Sequence, residues 1–238
     1  MSGEVHYRLE ADVWVFAVNY KAYPNAFNNH SVRLAEEAAR LAEEYSGVRI
    51  ILAVPAPILY TAASEYSDVW LQHVDPYGYG SHTGYLPAEA LGVLPARGTL
   101  LNHSEHKVTL RHLLKALGMV KQAGKEAIVC ADTPEEAAAV AVLGPSMVAV
   151  EPPELIGTGI PVSKAKPEII TRAVEAVDRV APGMPVLAGA GISGPEDIVK
   201  ALELGARGVL VASMIMKAED PAARLRSVVE SVERARKR

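Results

Sequence analysis

The chain is short of several things that would otherwise dominate its reading. It has one cysteine, Cys130, so neither an intrachain disulfide nor a cysteine-rich zinc centre can form. Aromatics make up only 5% of the 238 residues, so the apolar half of the chain must build a mostly aliphatic core. There is no basic excess. Lys and Arg number 24 against 28 Asp and Glu, a net charge of −4, which speaks against a protein that tracks nucleic-acid phosphates. The longest apolar stretch, Ile50 to Tyr60, is broken by Pro55 and Pro57 and falls far short of the ~20 residues a membrane helix needs. The first dozen residues (MSGEVHYRLEAD) carry both signs of charge and lack the apolar run of a signal peptide. Five Asn and two Gln are few for this length, which points toward heat tolerance. With no low-complexity linker, the expectation is one domain over residues 1–238, soluble and cytoplasmic.

What is present is an alternation of short apolar runs and longer amphipathic segments. The candidate strands are Val13–Val18, Arg49–Val54, Val69–Val74, Thr99–Asn102, Ala127–Cys130, Met147–Val150, Val186–Ala188 and Gly208–Val211. They read as near-continuous runs of Val, Ile, Leu and Ala, the pattern of a parallel sheet covered on both faces. Between them, Val32–Tyr45 places Leu34, Ala38, Leu41 and Tyr45 on one helical stripe and turns Glu36, Glu37, Arg40 and Glu44 outward. Thr133-Pro134-Glu135-Glu136 opens another helix with a capping residue, an early proline and acidic side chains at the positive dipole end; Gly194-Pro195-Glu196-Asp197 opens a third in a related way. Eight strand–helix units in ~250 residues is the size of a closed (β/α)₈ barrel. A doubly wound open sheet fits the alternation nearly as well.

In either fold the ligand site lies at the C-terminal strand ends. Asn19 and Lys21 follow the first candidate strand, Asn102 to Glu105 the fourth, Glu151 the sixth, Gly189 and Gly191 the seventh, and Ala212 and Ser213 the eighth. A carboxylate at the mouth of an apolar strand is partly desolvated and so a stronger base, although Glu151 taken alone reads as an ordinary surface residue. His103 and His106, three apart, have no third ligand in the sequence nearby and no HExxH pattern, so no metal is expected. His103 could instead stay neutral at a helix N-terminus and donate a hydrogen bond to a carbonyl. Lys21, two residues beyond Asn19, would point to the same side of an extended segment; its ordinary reading is a solvated lysine. The small-residue turns Ile156-Gly157-Thr158-Gly159, Gly189-Ala190-Gly191-Ile192-Ser193 and Val211-Ala212-Ser213 are each compatible with simple helix–strand packing. Together they suggest backbone amides gathered around a phosphate.

These segments occur in a recognisable order: Asn19-Tyr20-Lys21, Ser81-His82-Thr83-Gly84, Asn102-His103-Ser104-Glu105, Glu151-Pro152-Pro153-Glu154 with Ile156-Gly157-Thr158-Gly159, and Gly189-Ala190-Gly191. From Ala17 onward the chain resembles the triosephosphate isomerase family, and the stretch from Glu151 to Lys166 (EPPELIGTGIPVSKAK) resembles its compact archaeal type. The resemblance implies a (β/α)₈ barrel with some outer helices shortened. It also implies interconversion of dihydroxyacetone phosphate and D-glyceraldehyde 3-phosphate, in glycolysis and gluconeogenesis, without cofactor. By the resemblance Glu151 is the base that moves a proton between two substrate carbons. His103 is the neutral electrophile, and Lys21, with Asn19 beside it, supports developing enediolate charge and the phosphate, with Glu105 near Lys21. Ile156 lines the closing segment, Gly157, Gly191, Ala212 and Ser213 hold the phosphate, and Pro152–Ser163 forms a lid. Thr83 would cross to a neighbouring subunit, making a dimer, which the archaeal type assembles into a tetramer. Asn102 departs from the glycine many relatives carry before the histidine, and the first dozen residues have no counterpart. The rival readings are another phosphate-binding barrel enzyme, acting on an indole or thiazole precursor, and a catalytically silent sugar-phosphate binder.

Overall fold

The computed structural model describes residues 10, 12–152 and 167–237. Eight parallel strands close on themselves in sequence order: β1 (Trp14–Asn19), β2 (Val48–Val54), β3 (Val69–Leu71), β4 (Gly98–Leu101), β5 (Glu126–Ala131), β6 (Met147–Val150), β7 (Val186–Ala188) and β8 (Gly208–Val211). The closing edge pairs Val15 with Gly208 and Val18 with Val211, which settles the choice between barrel and open sheet. Around the strands run α1 (Asn29–Glu44), α2 (Leu59–Glu65), α3 (Leu110–Gln122), α4 (Pro134–Ala141), α5 (Pro167–Val180), α6 (Pro195–Glu203), α7 (Ser213–Met216) and α8 (Pro221–Arg236). Between β3 and β4 the only helical element is a five-residue 3₁₀ segment, Ala88–Gly92, so the outer layer is reduced there as expected.

Both faces of every strand are covered, which explains the unbroken apolar runs. Inside the barrel sit Val15, Ala17, Ile51, Ala53, Trp70, Leu100, Ile128, Cys130, Met147, Ala149, Leu187 and Leu210. The alternate residues, such as Trp14, Phe16 and Val18 of β1, pack outward against the helices. On α1, Leu34, Ala35, Ala38 and Leu41 are fully buried, and each leucine placed there contributes roughly 1.5–3 kcal/mol by leaving water. This helix starts one turn before the pattern suggests, because the Asn28 side chain accepts a hydrogen bond from His30 N at 2.8 Å. Thr133 caps α4 as expected, through Glu136 N. At α6 the capping is done by Asp197, whose Oδ2 accepts from Ser193 N, Ser193 Oγ and Gly194 N, since Gly194 has no side chain to offer. β3 ends at Leu71 rather than Val74: beyond it Gln72 turns its amide toward Asn19, Lys21 and Ala53.

The inward alternation reaches both ends of the barrel. At the N-terminal end it brings Arg49, Asp68 and Glu126 together. Arg49 forks onto both Glu126 oxygens at 2.7 and 2.8 Å and onto Asp68 at 2.7 Å. Trp70 Nε1 donates to Asp68 at 2.7 Å, and Arg97 approaches Glu126 at 3.3 Å. Burial works against the Arg49 charge, but the hydrogen bonds to Glu126 and Asp68 outweigh it and push its pKa up. The floor of the barrel is thus a set of buried charges with their partners in place.

Candidate active site

At the opposite end the same alternation, Met147, Ala149, Glu151, turns Glu151 into the barrel mouth, where it is 4% exposed. Its Oε1 lies 3.2 Å from His103 Nε2, while its Oε2 is buried with no hydrogen-bond partner among the described residues. Cys130, one strand over, is fully buried; burial and the neighbouring Glu151 charge hold its thiol well above its ordinary pKa. A Cβ on Gly189 would lie 2.4 Å from Glu151 Cγ, so only glycine leaves space for the carboxylate there.

His103 accepts a hydrogen bond on Nδ1 from the backbone N–H of Glu105 at 3.1 Å. A ring nitrogen that accepts carries no proton, so the proton of the neutral imidazole sits on Nε2 and faces Glu151. The expectation of a helix N-terminus at this point is corrected. His103 is followed by a turn closed by His106 N on His103 O, and α3 begins only at Leu110. The backbone amide of Glu105, and not a helix dipole, selects the tautomer.

Lys21 reaches the pocket by a route other than the one expected. Its backbone is left-handed (φ 47°), so it is not an extended continuation of β1. The turn is held by Asn19 Oδ1, which accepts from Lys21 N at 3.0 Å and from Gln72 Nε2 at 2.9 Å. Lys21 Nζ then meets Glu105 Oε1 at 2.7 Å. Glu105 therefore orients two groups at once, the ammonium by its carboxylate and the imidazole by its amide. Asn102 is the other described non-glycine residue with positive φ (57°), a conformation Asn tolerates better than most side chains. Its side chain bonds Cys130 O, Glu136 Oε1 and Val108 N, fixing the turn that presents His103. Asn102 thus suits the left-handed backbone here, which glycine would also accept.

Asn19, Lys21, His103, Glu151, Gly191, Ala212 and Ser213 line one pocket, together with Tyr23, Gly189, Ala190, Ile192, Leu210 and Val211. Gly191 has φ 64°, and α7 starts at Ser213 without a side-chain cap, which leaves backbone amides at its first turn available to an anion. Ile156, Gly157 and most of the lid, residues 153–163, lie outside the described residues, as do Lys164 and Lys166. Thr83 is away from the pocket, in an exposed turn. Sequence reasoning missed Gln72 and Cys130, and singled out Gly189 only as part of a phosphate turn. Gln72 and Cys130 carry no motif, and the need for glycine at position 189 depends on a neighbour 38 residues earlier.

A closed parallel barrel with a carboxylate, an imidazole and an ammonium around one strand-end pocket defines the class: a barrel enzyme equipped for proton transfer. Comparison with known proteins narrows it. Residues 14–231 match the family model described as triosephosphate isomerase. Among similar curated proteins, the triosephosphate isomerase of Methanosarcina barkeri is 44% identical over 216 residues, 90% of this chain and 97% of that one. That of Archaeoglobus fulgidus is 43% identical over 219 residues (90% and 96%), and that of Sulfurisphaera tokodaii 42% over 208 residues (87% and 90%). The chain belongs to the triosephosphate isomerase family.

Proposed function

We propose that this isomerase interconverts dihydroxyacetone phosphate and D-glyceraldehyde 3-phosphate through an enediolate, with Glu151, His103 and Lys21 as the reacting groups. The observation that carries the reading is the divided carboxylate of Glu151. One oxygen lies 3.2 Å from His103 Nε2, and the other is buried beside the pocket with no hydrogen-bond partner among the described residues. A base must present a lone pair to carbon, and Oε2 is the oxygen free to do so. The proton leaves one substrate carbon for Glu151 and returns to its neighbour. Meanwhile Nε2–H of His103 donates to the carbonyl oxygen as it gains charge, and Lys21 supplies fixed positive charge nearby. Backbone amides around Gly191, Ala212 and Ser213 take the phosphate, joined by Gly157, and Ile156 covers the substrate within a lid over Pro152–Ser163. Glu105 and Asn19 hold Lys21 in position. No cofactor takes part in this scheme.

The assembly we infer is a homodimer through the segment after β3, extended to a tetramer. Its support is a turn built to be rigid yet exposed. Asp75 closes the root through Leu86, Tyr77 stacks on His82 and meets Tyr85 edge-on, and Thr83, Tyr79 and Tyr85 face outward. Exposed Leu110, Leu114 and Val142 offer a further apolar contact for the larger assembly. Among the described residues no helix is long and apolar enough to cross a membrane, and we place the reaction in the cytoplasm, in glycolysis and gluconeogenesis.

The test is a coupled assay with dihydroxyacetone phosphate on the wild type and on Glu151→Asp. Retreat of the carboxylate by about 1 Å should slow turnover by ~10²-fold while ligand binding and fold persist. Equal turnover in the two proteins defeats the assignment of the base, and no turnover in the wild type leaves only a sugar-phosphate binder.

A further inference from the structure

The sequence directs attention to His103 and His106 as the one histidine pair with ligand-like spacing. The fold assembles a different group. His73, two residues past β3, Asp75, and His112 in the first turn of α3 each present a ligand atom, and these atoms lie within 4.8 Å of one another. None of the three lines the catalytic pocket. We propose that His73, Asp75 and His112 bind a divalent transition ion of the zinc class, tying the root of the segment after β3 to the start of α3.

Three observations bear on this. First, the donor set is two imidazoles and a carboxylate, which suits zinc, cobalt or nickel and not the all-oxygen preference of magnesium or calcium. Second, His112 Nε2 is buried and has no hydrogen-bond partner among the described residues, an orphaned polar atom of the kind a ligand would satisfy. Third, His73 and Asp75 are already oriented from behind, and a helix cap holds the backbone of His112. Asp75 Oδ2 accepts from Leu86 N at 2.8 Å, which leaves Oδ1 turned to His73 Nε2 at 3.3 Å. The His73 ring is stacked on His106 with centroids 4.1 Å apart, and the His112 backbone is held by Thr109 Oγ1 at 3.2 Å. Such outer contacts fix ring and carboxylate directions in metal sites. Three donors leave a fourth tetrahedral position for water, and the ion would brace the same root that Asp75 already closes.

The probe is Co²⁺, titrated into chelator-treated full-length protein and followed by its visible absorption. The proposal expects one ion per chain with the intense bands of tetrahedral cobalt, displaced by Zn²⁺. It also expects at least tenfold weaker binding in His112→Gln, with turnover unchanged on loading. Circular dichroism checks that the variant is folded. Should it not be, cobalt-induced shifts of the His73 and His112 ring signals in the wild type decide the matter. No stoichiometric binding, affinity unchanged in folded His112→Gln, ring signals of His73 and His112 unmoved by cobalt, or turnover lost in step with loading would each overturn the site.

Discussion

The two ends of this barrel both bury charge, and they treat it in opposite ways. At the N-terminal end Arg49, Asp68 and Glu126 interlock, with Trp70 and Arg97 completing the set. At the C-terminal end Glu151 is equally buried, but one of its oxygens has no partner among the described residues and its neighbours are groups that can exchange a proton. A buried charge without its full complement costs free energy, so such a group persists only where the surrounding structure holds it. Here Gly189, Cys130 and His103 do the holding. The floor uses charge to close the barrel, whereas the mouth keeps one lone pair available for a substrate.

Breaking the floor should give the largest effect on stability and little on chemistry. In Arg49→Ala, Asp68 and Glu126 lose their main partner. We expect a loss of ~3 kcal/mol, at the lower end for a broken buried pair because Arg97 still reaches Glu126. For a chain this size that lowers the thermal midpoint by roughly 6–12 °C. Turnover measured well below the midpoint should stay near wild type, and a large drop there would show that the two ends are coupled.

Disturbing the mouth should do the reverse. In Gly189→Ala the new methyl would sit 2.4 Å from Glu151 Cγ, so the carboxylate must move. A shift of about 1 Å is expected to cost ~10²-fold in kcat with the fold intact by circular dichroism. Full activity in this variant would mean that the position of Glu151 is not what the rate depends on.

A smaller effect separates the wall behind His103 from both ends. Burial raises the pKa of Glu136, but hydrogen bonds from Asp132 N, Lys107 and Asn102, with the Lys107 charge, outweigh it and leave the group below its ordinary value of 4.5. A lowered folded pKa means stability that is fully present above the unfolded value and lost as pH falls through the folded one. The stability gap between wild type and Glu136→Gln should therefore be widest above about pH 4.5 and close as acid is added. Denaturant midpoints across that range would measure it; a gap independent of pH counts against the assignment. Smallest of all is Arg172→Ala. It removes an exposed pair with Glu135, and its midpoint should not differ measurably from wild type, as is usual for surface ion pairs.

Much of this was legible in one dimension because it follows from local rules. Met147–Val150, Val186–Ala188 and Gly208–Val211 are strands with the expected bounds, since a strand covered on both faces must be apolar throughout. Asn19, Lys21, His103 and Glu151 stood out because they end such runs, and the structure brings all four to one pocket. Thr133 announced α4 through a hydrogen bond made three residues away. Closure of the sheet was not legible in the periodicity, because the pairing of Val15 with Gly208 joins residues 193 positions apart, and only the family resemblance implied the barrel. For the same reason Lys21 was given an extended backbone, when contacts from Asn19 and Gln72 impose a left-handed turn.

The sequence alone determined the strand–helix alternation, the parallel class and the short set of polar residues at strand ends, because periodicity and capping act over a few neighbouring residues. Only the tertiary structure decided which oxygen of Glu151 is free, which nitrogen of His103 bears the proton, and that Arg49 meets Glu126 while His73 meets His112. Those facts depend on side chains converging from distant strands, where burial and a few tenths of an ångström set the outcome.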